Sequence, residues 1–192
     1  MSKIPYNTAL KGSLFENHNH YDDELYFKSS RGIIACFDIS QFIPACVNNT
    51  EIDCIYSEIA WEHGYNIFFE KAGKQQTTSY SEYIDGISKI INKRSIPVYI
   101  TCSKNTAKKL NAEETFNIIQ NGKIVTLAVF HNKLDLSNCK TNDDVIDLLS
   151  QNYNCVFDFS CGYGNALKKF KRFVGLDINT QCLGYIKKEI MQ

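Results

Sequence analysis

The chain has 192 residues and carries 21 Lys or Arg against 21 Asp or Glu, so its formal net charge is zero. This length fits one compact domain, and the balanced charge excludes a protein that binds nucleic acid through a strongly basic overall composition. The eight cysteines include no Cys-x-x-Cys pair, and no apolar run approaches the ~20 residues that cross a bilayer. We therefore expect a reduced cytoplasmic or nuclear protein without a membrane segment.

Residues 1–31 are predicted to form an N-terminal arm, because they are polar, rich in Asn, His and Tyr, and without a clear period. His18 and His20 stand there beside two aspartates, but no matching second pair completes a zinc site, so no metal is expected. The remaining residues, 32–192, contain no repeat or linker and are predicted to be a single domain.

Five apolar runs predict buried parallel strands, since each is a nearly continuous stretch of hydrophobic residues. They are Gly32–Asp38, Asp53–Tyr56, Pro97–Thr101, Asn154–Asp158 and Phe173–Asp177. Helices are predicted at Ile39–Val47, Tyr80–Asn92, from a cap at Ser103 to Asn111, at Asn142–Ser150 with Thr141 as the cap, and at Gln181–Ile190. Residues 58–78 are predicted to be a long irregular stretch.

Asn121-Gly122 lies between two β-rich runs, Thr115–Gln120 and Lys123–His131. This pair predicts a hairpin, because both turn positions need positive φ. Strands that alternate with helices, together with one antiparallel hairpin, predict an α/β sheet covered by helices on both faces.

The most informative segment runs from Asp158 through Gly162-Tyr163-Gly164 to a second acid at Asp177. This order is typical of a strand, a glycine turn and a helix N-terminus that hold a nucleoside-containing cofactor. The glycines let the backbone approach the ligand, and Asp177 can accept both ribose hydroxyls. An ordinary strand–turn–helix connection remains an alternative.

Asp158-Phe159-Ser160-Cys161-Gly162-Tyr163-Gly164 resembles the cofactor motif of S-adenosylmethionine (SAM)-dependent amino-methyltransferases that modify adenine N6 or cytosine N4 in DNA. That motif commonly reads Asp-Pro-Phe-Cys-Gly-Ser-Gly, and the chain keeps its acid, its cysteine and both glycines. Phe173-Val174-Gly175-Leu176-Asp177 is similar to the family's following strand, Phe-Ile-Gly-Ile-Asp.

The resemblance implies a Rossmann-like, seven-stranded methyltransferase sheet with one antiparallel hairpin, and SAM as the cofactor. It also implies a cofactor site, with Asp177 on the ribose and Asp38 facing the adenine, although Asp38 can instead cap the next helix. The implied cofactor-binding residues are Asp158, Ser160, Cys161, Gly162, Gly164, Asp177 and Asp38.

Glu58-Ile59-Ala60-Trp61 is similar in position to the family's catalytic motif, which is an Asp, Asn or Ser, then two prolines and an aromatic residue. The acid and the aromatic residue are present and the prolines are absent. The segment precedes the glycine turn by about a hundred residues, which is the order of a circularly permuted subgroup. The resemblance implies that Glu58 and the Ile59 carbonyl accept the amine N–H groups while Trp61 stacks on a flipped base. The alternative is a strand end with one packed tryptophan.

The resemblance therefore implies a methyltransferase acting on an exocyclic amine of a nucleic-acid base, with adenine N6 in DNA as the first target. Weak sequence selectivity is expected, because residues 132–141 are too few for the family's target-recognition insertion, and a protein partner would then help to choose the target. Between residues 58 and 78, aromatic residues alternate with lysines and can contact an unstacked base or fold as a lid. Two alternatives stay open: a catalytically silent relative that binds cofactor or a partner protein in a regulatory role, and a methyltransferase of RNA or a small molecule.

Overall fold

The computed structural model describes residues 27–36, 52–93 and 95–191, and they contain eight strands, five α-helices and two short 3₁₀ helices. The strands are β1 (Phe27–Lys28), β2 (Gly32–Cys36), β3 (Cys54–Glu58), β4 (Val98–Cys102), β5 (Glu114–Gln120), β6 (Lys123–Phe130), β7 (Cys155–Asp158) and β8 (Arg172–Asp177). The helices are α1 (Tyr65–Lys71), α2 (Tyr80–Lys93), α3 (Lys104–Lys109), α4 (Asn142–Asn152) and α5 (Thr180–Glu189), with 3₁₀ turns at Glu62–Gly64 and Leu167–Lys169.

All eight strands belong to one mixed sheet with the spatial order β1-β2-β8-β7-β3-β4-β6-β5. Strands β2, β8, β7, β3 and β4 are parallel neighbours, and β6 runs antiparallel to both β4 and β5. The chain leads from β7 to β8 in one direction along the sheet and from β3 to β4 in the other. The order of the sheet therefore reverses between β7 and β3, which lie side by side.

Helices cover both faces of this sheet. Successive side chains of a strand point to opposite sides, so each buried strand contributes apolar side chains to both faces. In β3, Ile55 belongs to the hydrophobic core that includes residues of α1, α2 and α3. Its neighbour Tyr56 belongs to the second core, which includes residues of α4 and α5. The predicted α/β, Rossmann-like sheet with one antiparallel hairpin is confirmed. None of the helices in the described ranges is long and apolar enough to cross a membrane.

The hairpin forms at the predicted place. Asn121 and Gly122 have φ values of 49° and 73°, and Gln120 pairs with Lys123 across the turn. Positive φ at both central positions is the geometry for which Asn-Gly is the preferred sequence. The turn brings Gln120 and Lys123 to the same end of the sheet as the carboxyl end of β3.

The seven predicted strands are all present, and the two-residue strand β1 adds an eighth at the edge, antiparallel to β2. Phe27 and Lys28 thus pair with the sheet although they fall within the range predicted to be an arm. Residues 1–26 lie outside the described part of the chain, so the division into arm and domain stays a prediction. Asp38 and the predicted helix Ile39–Val47 also lie outside the described residues.

The prediction of an irregular stretch over residues 58–78 is wrong, because the 3₁₀ turn Glu62–Gly64 and helix α1 occupy its centre. Tyr65 and Phe69, four residues apart on α1, are both buried and their ring centroids lie 5.2 Å apart. Such pairs lie on one side of a helix and stabilise it. At seven residues, α1 is too short for its period to stand out in the sequence.

Two predicted helix caps are confirmed. The Ser103 hydroxyl accepts the backbone N–H of Thr106 at the start of α3. Thr141 and Asp144 form a reciprocal capping box at the start of α4, in which each side chain accepts the other residue's backbone N–H. This box fixes the first turn of α4, and Asn142 lies in that turn.

Substitution by alanine should change the stability of the protein in opposite directions at Gly175 and at Gly184. A Cβ on Gly175, in the middle of β8, would lie 2.8 Å from Leu167 Cδ1 and 3.2 Å from Cys161 Sγ, whereas one on Gly184, in α5, would meet nothing within 4 Å. We expect Gly175→Ala to lower the free energy of unfolding by about 1–3 kcal/mol through overpacking. Gly184→Ala should raise it by about 0.5–1 kcal/mol, because alanine favours the helix. Urea denaturation of both variants checks this, and equal effects would contradict the packing at Gly175.

Candidate functional site

The glycine turn is held by the acid that ends β8. Asp177 Oδ2 accepts the backbone N–H of Gly162 at 2.8 Å, and its Oδ1 accepts that of Asn179 at 2.8 Å. Gly162 and Gly164 have positive φ values of 48° and 74°. A Cβ on Gly162 would meet nothing within 4 Å, whereas one on Gly164 would lie 2.7 Å from Ile190 Cδ1. Gly162 therefore leaves an open backbone surface. The absence of a side chain at Gly164 allows the end of α5 to pack against the turn.

No α-helix follows the turn, which differs from the prediction of a helix N-terminus. Only the 3₁₀ turn Leu167–Lys169 lies between Gly164 and β8, because the seven intervening residues leave little room for a longer helix. Lys168 Nζ lies 5.3 Å from the ring centre of Tyr185, and Lys169 forms an ion pair with Asp147 at 2.9 Å. The lysines of this link therefore lie on the surface.

Asp158, at the end of β7, is a buried carboxyl group with two donors on one oxygen. Its Oδ1 accepts the Ser57 hydroxyl at 2.9 Å and the backbone N–H of Ser160 at 3.1 Å. Burial raises the pKa of Asp158 to about 8, and burial likewise raises the pKa of Asp177 to about 6. At neutral pH the two acids therefore differ, with Asp158 largely protonated and Asp177 largely ionised.

Glu58, at the end of β3, is contacted by polar side chains from three elements. Asn142 Nδ2 donates to its Oε1 at 2.8 Å, and Gln120 Nε2 donates to its Oε2. The Tyr56 hydroxyl lies 3.0 Å from Glu58 Oε1 and 2.7 Å from Asn142 Oδ1. The carboxylate is thus fixed in position at the end of its strand.

A cleft of about 380 Å³ opens at the carboxyl ends of these strands. All four residues of the predicted catalytic segment line it, together with Ser160 from the glycine segment. The other lining residues are Phe68, Thr101, Gln120, Asn121, Lys123 and Val125. Trp61 is 43% exposed, so its ring is only partly covered by protein rather than packed in a core. The two segments, about a hundred residues apart in sequence, meet at this cleft.

The predicted cofactor-binding residues differ in whether they line the cleft or are buried beneath it. Ser160 lines the cleft, while Asp158 and Asp177 are buried behind the turn. Cys161 is buried too, and its side chain belongs to the core shared with α4 and α5. Among the described residues, no group of three or more His, Cys, Asp or Glu side chains is placed to hold a metal ion.

The sequence alone does not predict that Tyr56, Gln120 and Asn142 contact Glu58, or that Ser57 contacts Asp158. Two weak signals were available: Tyr56 is two residues before Glu58 and so shares its face of the strand, and Gln120 directly precedes the Asn-Gly turn. Asn142 has no comparable signal, because its place depends on how α4 packs against the sheet.

Replacing Asp158 should change how stability depends on pH. A folded-state pKa of about 8, above the ordinary value of 3.8, means that this group's stabilising contribution is present below about pH 4 and is lost as pH rises towards 8. Asparagine stays neutral and its oxygen can accept from both Ser57 and Ser160. We therefore expect Asp158→Asn to flatten the fall in unfolding free energy between pH 6.5 and 8, measured by urea denaturation.

The matched control is Asp143→Asn, which changes an exposed aspartate of α4 and should keep the wild-type slope. The range starts above pH 6 because Asp177 titrates lower. An Asp158→Asn variant with the wild-type slope would contradict a buried, protonated Asp158.

The chain is weakly similar in structure to proteins of known structure. No family model matches the chain, and no curated protein sequence matches it. Among solved structures, the crystal structure of an M1.HpyAVI–SAM complex is similar, with a TM-score of 0.49 and 15% sequence identity over 82% of this chain and 98% of that chain.

Proposed function

We propose that the chain is a SAM-dependent methyltransferase that acts on an exocyclic amine of a nucleic-acid base, with adenine N6 in DNA as its first target. One observation carries this proposal: the glycine segment after β7 and the Glu58–Trp61 segment after β3 meet at one cleft. Strands β7 and β3 are parallel neighbours, joined in register at Ile55 and Phe157. In the chain the cofactor segment follows the catalytic one, as in the permuted subgroup.

The place of the cleft in the sheet supports ligand binding. In open α/β sheets, ligands bind outside the carboxyl ends of the strands, at the point where the strand order reverses. Here that point lies between β7 and β3. Ser160 follows β7, and Glu58 is the last residue of β3. The position of the cleft thus agrees with the general rule independently of any sequence motif.

The residues around the glycine turn fit SAM. Gly162 presents a backbone surface that no Cβ blocks, and Asp177 holds that surface in place through the Gly162 N–H. Ser160 extends the same segment into the cleft. When bound, SAM supplies an electrophilic methyl group on a sulfonium, and no metal or covalent intermediate is needed. Because Asp177 is buried behind the turn, its contribution to the ribose site is proposed to act through the turn that it holds, while Asp38 is the proposed partner of the adenine.

The cleft itself provides what an aromatic amine needs in order to react. The amine's lone pair is delocalised into the base, so binding both N–H groups to acceptors localises it on nitrogen. Glu58 and the Ile59 carbonyl are the proposed acceptors, and the half-exposed Trp61 is the surface on which the base stacks. Ala60, Phe68 and Val125 give the cleft apolar walls. The reaction would then depend mainly on positioning.

Selectivity for sequence is proposed to be weak. Within the described part of the chain, the elements next to the cleft are the β5–β6 hairpin and the 3₁₀–α1 segment, and both are short. A protein partner is therefore proposed to supply target recognition. A cytoplasmic or nuclear place of action is part of the same proposal.

The test combines calorimetry with SAM and a methyl-transfer assay on DNA and RNA, followed by mass spectrometry of the nucleosides. We expect SAM to bind and N6-methyladenine to appear in DNA. Methylation of RNA alone would replace the proposed substrate, and binding without any transfer would favour the silent alternative. A protein that does not bind SAM would overturn the proposal.

A further inference from the structure

The side chains that surround Glu58 assign a role to two residues outside the catalytic segment. We infer that Gln120 and Asn142 are positioning residues that aim the Glu58 carboxylate into the cleft, in place of the rigidity that two prolines would give this segment. The inference rests on the proposed function for its catalytic meaning, whereas the hydrogen bonds can be tested without any activity.

The orientation of both amides follows from hydrogen-bond chemistry. An ionised carboxylate only accepts, so the amide nitrogens of Gln120 and Asn142 must face Glu58, which leaves Asn142 Oδ1 to accept from the Tyr56 hydroxyl. Tyr56 is fully buried and Asn142 is 7% exposed. The bond between Tyr56 and Asn142 is therefore shielded from water, while the two amide bonds to Glu58 are partly buried. Bonds to a charged acceptor are stronger than bonds between neutral groups.

The donors also restrict where a substrate can bind. A carboxylate offers about four acceptor positions. Asn142 takes one position on Oε1 and Gln120 takes one on Oε2, so one position is left on each oxygen. The position left on Oε1 lies against the buried Tyr56 hydroxyl, whose single proton goes to Asn142 Oδ1. Glu58 and Gln120 both line the 380 Å³ cleft, whereas Asn142 lines a smaller cleft of about 140 Å³ that also reaches Glu58. The position left on Oε2 is therefore the one available to an amine N–H in the larger cleft.

The backbone couples the two amide residues to each other. Ile119 N–H donates to the Lys140 carbonyl at 2.9 Å, and Ile119 forms an isolated parallel bridge with Thr141. Gln120 and Asn142 each directly follow one partner of that bridge. The capping box at Thr141 fixes the same point from the side of α4. Strand β5 and helix α4 thus form one support for the carboxylate.

A glutamate at this position needs side chains that hold its carboxylate in place. Glutamate has one more rotatable bond than aspartate, so its carboxylate samples more positions when nothing holds it. A displacement of about 1 Å at a reacting group can cost on the order of a hundredfold in rate. Donors on both oxygens remove that freedom, because a rotation of the side chain would break bonds from two different elements.

The kinetic test uses Gln120→Met, which keeps the length of the side chain and removes the donor, and Asn142→Ala. Each is expected to lower kcat for methyl transfer about 10- to 100-fold without changing the Kd for SAM. Asn117→Ala, an exposed position on the same strand as Gln120, is the matched control and should keep the wild-type kcat. A purely structural role for Gln120 predicts that Gln120→Met behaves like wild type, and that result would overturn the inference.

A second readout needs no substrate. The side-chain NH₂ signals of Gln120 and Asn142 in ¹H–¹⁵N spectra should move in Glu58→Ala but stay in place in Glu62→Ala, an exposed glutamate four residues later. If the chemical shifts of these NH₂ signals do not change in Glu58→Ala, the inference that Gln120 and Asn142 hold Glu58 by hydrogen bonds is overturned. If the signals respond but the wild-type protein transfers no methyl group to any nucleic acid, the support stands and the proposed function fails.

Discussion

Glu58→Ala is expected to lower the rate of methyl transfer by about 100- to 1000-fold while the Kd for SAM stays within about twofold of wild type. The loss has the size found when one preorganised polar group at a reacting centre is removed. Glu58 ends β3 and lines the cleft, whereas the glycine turn that is proposed to bind SAM follows β7. Single-turnover kinetics with labelled SAM, together with calorimetry, measure the two effects separately.

The matched control for this prediction is Glu62→Ala. Glu62 is also an acid just after β3, but its side chain is 53% exposed and pairs with Lys109 at 3.2 Å on the surface. An exposed ion pair contributes about 1 kcal/mol or less, so this variant should fold and react normally. Equal losses in both variants, or full activity in Glu58→Ala, would exclude Glu58 as the acceptor.

Stability has to be measured in the same variants. Glu58→Ala leaves the amides of Gln120 and Asn142 without their acceptor. Asn142 is buried, and an unsatisfied buried donor costs about 1–3 kcal/mol. Thermal melting of Glu58→Ala should therefore show a modest decrease. Glu58→Gln keeps the shape and part of the bonding, so it separates loss of the acceptor from loss of stability.

Much of the sheet could be predicted because its signals are local. Each buried strand is a nearly continuous apolar run, and Asn121-Gly122 defines its own turn through two positive φ values. The cofactor segment could be predicted for the same reason, since its acid and glycines stand within a few residues of one another. Helix α1 could not, because its stability comes from packing of Tyr65 and Phe69 against the core rather than from a long period.

The environment of Glu58 could not be predicted, because it depends on contacts between distant parts of the chain. Gln120 and Asn142 are 62 and 84 residues from Glu58 in sequence. In the sequence, nothing distinguishes Gln120 or Asn142 from an amide residue on the surface. Their contact with Glu58 arises only because the fold places β5 and α4 next to the end of β3. The missing prolines were visible in the sequence, whereas the side chains that can replace their effect were not.

Asp177→Ala is expected to weaken SAM binding at least tenfold and to lower the free energy of unfolding by about 1–3 kcal/mol. The carboxylate accepts the N–H groups of Gly162 and Asn179 through different oxygens, so alanine leaves both donors without an acceptor. Because the Gly162 N–H lies in the turn, the turn loses the contact that fixes its open backbone surface. Calorimetry with SAM and urea denaturation measure the two losses.

Asp177→Asn gives an intermediate test, since its single side-chain oxygen can replace only one of the two acceptors. Its affinity for SAM should therefore fall between those of wild type and Asp177→Ala. Asp135→Ala is the control: this exposed aspartate also accepts a backbone N–H, from Ser137 at 2.9 Å, but lies in the loop before α4. If Asp177→Ala binds SAM as wild type does, Asp177 neither shapes the turn for the cofactor nor contacts the ribose, and the cofactor must bind elsewhere.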